Sequence, residues 1–305
     1  MKKTGLSSTI AAGAGILILI LDSKTALQGA REGVAMCTQT VIPSLFPFFV
    51  FSILLTGSLT GQAIPLLRPI GRLTGVPRGA ESIFLTGILG GYPVGAQSIA
   101  SAFKHGQLSR QDARRMMGFC SNAGPSFLFG IIGPVFGDIR MVWLLWLIHI
   151  ASAVLVGILL PGKCHKSLTP SLCHPVTFPL ALQSAIKAMA SVCGWVVLFR
   201  VILAFGNRWI FWAFPSEVQV VLSGILELTN GCCALGNIED LGLRFVICSG
   251  LLAFGGVCVT MQTISVAAEI CLGYYFPGKV MQTLFSIILS FGTEAIISQW
   301  FSGFF

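Results

Sequence analysis

The apolar positions of this chain come in long blocks, and its polar positions gather at a few interruptions. No long run shows strict alternation, so the pattern predicts helices and argues against a β-barrel. A first apolar segment covers 10–21, behind Lys2 and Lys3. It reads as a signal peptide or a first membrane helix. With no small-residue cleavage site well placed, the uncleaved anchor is the expectation. A span over 34–59 follows, with Pro43 and Pro47 near its start, where neighbouring helices can satisfy the carbonyls a proline frees.

After an Arg-containing loop at 62–81, the next apolar stretch contains Gly87, Gly90, Gly91, Gly95 and Pro93 at its centre. Unpaired backbone groups are costly in a bilayer, and broken backbone survives there only buried in protein or lining a wet cavity. The spacing therefore predicts a re-entrant helical hairpin over about 82–103. A polar segment at 104–115 follows, with Ser109 as a helix cap and Asp112 three residues on. The stretch 116–136 is interrupted by Ser-Asn-Ala-Gly-Pro at 121–125 and predicts a broken helix; 141–160 is an ordinary span. The second half repeats this order: a span over 180–205, a hairpin over about 218–235, a span over 243–266, a further span near 267–276, and one over 280–301.

The halves also share local patterns. Gly-Ile-Leu at 87–89 recurs at 224–226, and the same offset sets 118–122 against 255–259. The first hairpin is flanked by seven basic residues (Arg68, Arg72, Arg78, Lys104, Arg110, Arg114, Arg115), the second by Arg208 alone. Under the positive-inside rule the first hairpin enters from the cytoplasm and the second from outside. The fold expected is an all-α polytopic membrane protein built of two inverted repeats, each with a re-entrant hairpin. Its parts are a signal-anchor helix and linker (1–33), a first repeat (34–160), a connector (161–179) and a second repeat (180–305).

Composition agrees with the pattern. Hydrophobic residues make up 54% and charged residues 10%, against about 25% charged in a soluble domain. The net charge of +8 is scattered beside apolar spans and indicates the lipid bilayer, with no basic run suited to nucleic acid. Most of the ten cysteines lie in apolar segments, where Cys packs as a small residue. Cys164, His165, Cys173 and His174 in the connector have the ligand types of a metal site but not a recognised spacing, so no metal or cofactor is expected. Nucleophile and metalloprotease motifs are also missing, so an enzyme is not expected.

Four motifs resemble one family. Phe-Pro-Phe at 46–48, Gly-Tyr-Pro-Val-Gly-Ala at 91–96, Ser-Asn-Ala-Gly-Pro at 121–125, and Gly-Ile-Leu-Glu-Leu-Thr-Asn-Gly at 224–231 are similar to the nucleoside recognition (Gate) domain family. Within it they resemble the YlbJ group of sporulation integral membrane proteins. The resemblance covers about 43–291 and implies a fold akin to concentrative nucleoside transporters. For that group it implies movement of dipicolinic acid across the outer forespore membrane, with homo-oligomers possible by analogy.

The candidate site follows from the breaks. Helix termini there offer N–H groups to an anion. Gly90, Gly91 and Gly95 either let backbone approach a solute or only let helices pack, and Tyr92 offers a ring to stack. Ser121 and Asn122 either contact solute or seal freed backbone. Glu227, with Thr229 and Asn230, forms the matching cluster in the second half; a carboxylate in an apolar segment is functional by default. Glu227 takes a coupling proton or cation, or pairs with Arg200; Arg200 meets Glu227 or a substrate carboxylate. Gln262 is a second coupling-ion candidate, with Glu269 and Glu294 weaker. Lone His149 reads as a packed core residue. The function expected is transport of a small organic anion through a midplane site between the hairpins. The alternatives are a nucleoside-like solute carrier and a non-transporting scaffold or assembly factor of a spore or envelope complex.

Overall fold

The computed structural model describes residues 3–59, 62, 64–162, 176–270 and 273–293. Every regular element among them is helical. In chain order these are α1 (Lys3–Leu21), α2 (Ser23–Leu59), α3 (Arg68–Thr74), α4 (Glu81–Leu89), α5 (Val94–Lys104), α6 (Arg110–Met117) and α7 (Pro125–Phe136). The remaining helices are α8 (Ile139–Leu159), α9 (Phe178–Trp209), α10 (Ser216–Leu226), α11 (Leu228–Ala234), α12 (Leu241–Phe254), α13 (Gly256–Ala267) and α14 (Tyr275–Gly292). By length and composition, α2, α8, α9 and the stretch Leu241–Ile270 are long and apolar enough to cross a membrane.

Residues 23–33, expected to be a linker, are the opening turns of α2. Asp22 caps the helix by accepting the Thr25 N–H at 3.3 Å, and Gly29 and Gly33, one turn apart, flatten the face that packs on α9. A Cβ on Gly29 would stand 2.9 Å from the Ala204 Cβ, and one on Gly33 2.9 Å from the Val197 Cα. Small residues at this spacing are how helices approach closely where lipid gives no hydrophobic drive to associate.

Two π-turns lie within the helices, Cys37–Val41 in α2 and Leu128–Ile132 in α7. The residues after them, Ile42 and Gly133, each donate five residues back, to Cys37 O and Leu128 O. Each is followed by a proline, Pro43 or Pro134, whose missing N–H deprives a carbonyl one turn back of its partner.

Among the described residues no spanning helix occupies the stretch near 267–276, where a further span was expected. Gly255, with φ 81°, breaks the stretch into α12 and α13, a short turn at Ala268–Ile270 follows, and α14 starts at Tyr275 rather than 280. The connector residues 163–175, with Cys164, His165, Cys173 and His174, and Glu294 lie outside the described residues.

The two halves present the same sequence of elements: a long helix (α2, α9), a helix pair (α4–α5, α10–α11), a broken stretch (α6–α7, α12–α13) and a further helix (α8, α14). Contacts cross between them in a reciprocal way. The second arm of the first pair, α5, packs on α13, and the second arm of the other, α11, packs on α7. The long helices α2 and α9 pack together, as do α8 and α14.

Candidate functional site

Glycine closes both helix pairs. A Cβ on Gly95 would meet the Cys120 carbonyl and lie 2.9 Å from the Gly87 Cα; one on Gly231 would collide with the Gly224 backbone. Each pair is therefore crossed backbone to backbone. In the first, Gly90 ends α4, Gly91 sits at φ 71°, and Pro93 opens α5. The Gly91 tip lies on the break of the same half, where its Cβ would come within 2.9 Å of the Gly124 N.

In the second pair the chain is extended at one residue, Glu227, between α10 and α11. Its buried carboxylate caps α11: Oε1 accepts the Thr229 N–H at 3.1 Å, and Oε2 accepts from Asn230 N and Nδ2, both at 2.7 Å. All three contacts are donors, which suits an ionised acceptor. Arg200 does not touch Glu227. It donates to Asn230 Oδ1 at 2.8 Å and forms an ion pair with Glu32 of α2 at 2.5 Å. Asn230 therefore links the two charges, and Glu32 had no signature in sequence because 168 residues separate it from Arg200.

Both tips face one central cavity, lined by Gly90, Gly91, Tyr92, Glu227, Thr229 and Gln262, together with apolar residues of α2 and α9. About 40 Å³ of it is open to the centre of a water molecule. One water needs about 10–15 Å³ on that measure, so the chamber has room for a few waters and not for a larger solute. Gly95, Ser121, Asn122, Arg200 and Asn230 do not line it. Gly95 closes the first pair. Asn122 is used in sealing: its Nδ2 donates to Phe119 O and its Oδ1 accepts from Gln282 Nε2, each at 2.9 Å. Of the weaker candidates, Glu269 is exposed, 4.0 Å from Lys104.

Two wider grooves lie along α2. Toward its C-terminal end, Thr56, Ser82, Thr86, Gln97, Ser98 and Ser101 contribute to a hydroxyl-rich groove of about 240 Å³ on the same measure. Beside its middle, Gln39, Thr40 and Ser44 face Gly130 and Pro134 across about 730 Å³, between the two π-turns. Val41, Leu45 and Phe49 of the same helix line the central cavity. From Thr40 to Thr56 the helix rises about 24 Å, most of the roughly 30 Å apolar thickness of a bilayer.

Sequence reasoning missed the side chains behind Tyr92. Lys279 of α14 is buried and donates to Tyr92 Oη at 2.8 Å, to Gln282 Oε1 at 2.9 Å and to the Ser121 carbonyl. His149 is buried as expected, and its Nε2 accepts the Ala123 N–H at 3.0 Å. A signal was available: Tyr275, Lys279, Gln282, Ser286 and Ser290 repeat every three or four residues, and all are buried. That is a polar stripe along one helix face.

Long apolar helices, broken helix pairs and a largely apolar central cavity that Glu227, Thr229 and Gln262 also line define a helical membrane protein. The chain is similar to the sporulation integral membrane protein YlbJ of Bacillus subtilis (strain 168), with 24% identity over 324 aligned positions that cover 88% of this chain and 78% of that protein. No protein-family model matches the chain, so its likeness to the nucleoside recognition domains rests on the motifs alone. No solved structure matches it.

Proposed function

We propose that the protein is a carrier of a small organic anion, acting in a membrane during sporulation. The observation that carries this reading is the central cavity, bounded by the broken tip of each half, with separate grooves beside the middle and the C-terminal part of α2. A scaffold has no need of a buried carboxylate facing a cavity between two glycine-closed tips. Paired interrupted segments in two halves are the pattern of alternating-access carriers.

In this reading the two pairs are re-entrant hairpins of opposite orientation, the first entering from the more basic, cytoplasmic side. Glu227 and Gln262 serve the coupling ion, Tyr92 and the Gly90–Gly91 backbone serve the solute, and Asn230 holds Glu227 against Arg200. The cavity as it stands is the occluded form, and separation of the tips from α2 opens it to one groove or the other. The similarity to a sporulation membrane protein and the motif resemblance together suggest dipicolinic acid as cargo, in the outer forespore membrane.

The test is uptake of radiolabelled pyridine-2,6-dicarboxylate into proteoliposomes. Wild type should accumulate it, while Glu227→Gln inserts normally and loses at least about 90% of the initial rate, a loss of the order expected for removing a charged hydrogen-bonding group. Unchanged uptake by Glu227→Gln removes that residue from the mechanism. Absence of flux of any organic anion in wild-type vesicles, with stoichiometric protein partners recovered instead, favours the scaffold.

A further inference from the structure

The buried charges near the cavity are not arranged as a salt bridge. Glu227 stands on one wall, held by neutral donors of α11. Lys279 stands behind Tyr92, which lines the same cavity, and among the described residues its hydrogen-bond partners are all neutral: a phenol, an amide oxygen and a backbone carbonyl. Tyr92 separates Lys279 from the cavity, its ring centroid 4.9 Å from Nζ. Beside this cluster the Ser121 hydroxyl is fully buried and has no hydrogen-bond partner. An ammonium without a counter-charge is costly to bury, and such a group in a membrane protein marks a pathway or a ligand by default. Purely structural sealing of this spot needs only a neutral donor, which an amide supplies without the charge.

Resting on the carrier reading, we propose that Lys279 is the recognition charge of the site. An acidic group of the solute takes its ammonium in place of the Tyr92 hydroxyl, and the orphan Ser121 hydroxyl donates to the same anion. Tyr92 is the gate between cavity and charge: its ring shields Lys279 when the chamber is empty and turns aside for the solute. Glu227, which lines the same chamber, holds the accompanying cation, so the loaded chamber carries one anion–ammonium pair and one carboxylate–cation pair. The ligand class is a compact carboxylate rather than a neutral nucleoside.

The test compares two probes of nearly equal shape, pyridine-2,6-dicarboxylate and its uncharged diamide, in binding to the purified full-length protein and in proteoliposome uptake. Wild type should bind the dicarboxylate in preference to the diamide. Lys279→Gln should weaken the dicarboxylate by at least about tenfold, the scale of one charged hydrogen bond, and leave the diamide unchanged; Lys279→Arg should keep the preference. Equal dicarboxylate affinity in wild type and Lys279→Gln, with uptake intact, overturns the role of Lys279 and leaves the carrier standing. A wild type that prefers the diamide, or that binds and transports neither probe, overturns the anion reading and this proposal with it. Should Lys279→Gln not assemble, Tyr92→Phe decides. Loss of the competing hydroxyl should tighten dicarboxylate binding severalfold without affecting the diamide; unchanged or weaker binding refutes the gate.

Discussion

Gly95→Ala should unseat the first helix pair. The added methyl would collide with the Cys120 carbonyl and lie 2.9 Å from the Gly87 Cα and 3.4 Å from the Ser121 Cα. All three are backbone atoms, so no rotamer change relieves the contact. Carbon pairs rest at about 3.5–4.0 Å, so α4, α5 and the 118–124 segment must part by roughly 0.6 Å or more. Overpacking of this kind costs about 1–3 kcal/mol, and backbone on every side places this site near 3. At roughly 2 °C per kcal/mol for a chain of this size, tryptophan-monitored melting in detergent should fall by about 6 °C. Gly194→Ala is the control of opposite sign. Gly194 lies within α9 with nothing within 4 Å of an added Cβ, and the helix preference of Ala over Gly is worth up to about 1 kcal/mol. A Gly95→Ala protein melting within a degree of wild type refutes the glycine crossing, and with it the close seating of the tip on the break.

Two further outcomes follow from the helix packing and capping. Gly33→Leu drives a side chain into the Val197 backbone and the Arg200 Cβ, 2.9 and 3.1 Å from the position of a Cβ. It should part α2 from α9, break the Glu32–Arg200 pair and lower the melting temperature by roughly 6 °C on the scale above; an unchanged melt would show that α2 does not dock on α9. Asp138 caps α8 by accepting the Arg140 N–H at 2.8 Å, and hydrogen bonds from Arg140 hold its carboxyl below the ordinary carboxylate value. Its contribution is therefore complete above that ordinary value and disappears as pH falls through the lowered one. Asp138→Ala should cost about 1 kcal/mol at neutral pH, and melting curves of variant and wild type should converge in acid.

Much of the architecture was legible because lipid leaves few ways to interrupt a helix. The glycines at 87–95 and Glu227 mark where the two pairs turn, and Ser-Asn-Ala-Gly-Pro marks the first break, since each departs from an otherwise apolar run. The second break was less legible: the repeat offset sets Gly255 and Gly256 against the first break, but they sit in a run as apolar as any span, and their positive φ angles show where the helix stops. Pairing was less legible than position. Arg200 could be seen to need a partner, but Glu32 and Asn230 become neighbours only through the glycine face of α2 and the turn at Glu227. Lys279 was overlooked because it stands near the head of an apolar stretch, where a lysine ordinarily reaches for water. Its burial depends on Tyr92 and Ser121, 187 and 158 residues earlier.

Those separations bear on how the protein is made. The first helix pair leaves the ribosome long before α14 exists, and so does the Ser121 carbonyl that Lys279 will occupy. Until then Tyr92 lacks its ammonium partner, and α5 lacks α13 as well. Insertion of the first half is thus separate from its completion, and a chain truncated before Lys279 presents a tip with unmet polar groups. A chain that includes α14 closes its own centre, with Lys279 reaching back to Tyr92 and Ser121.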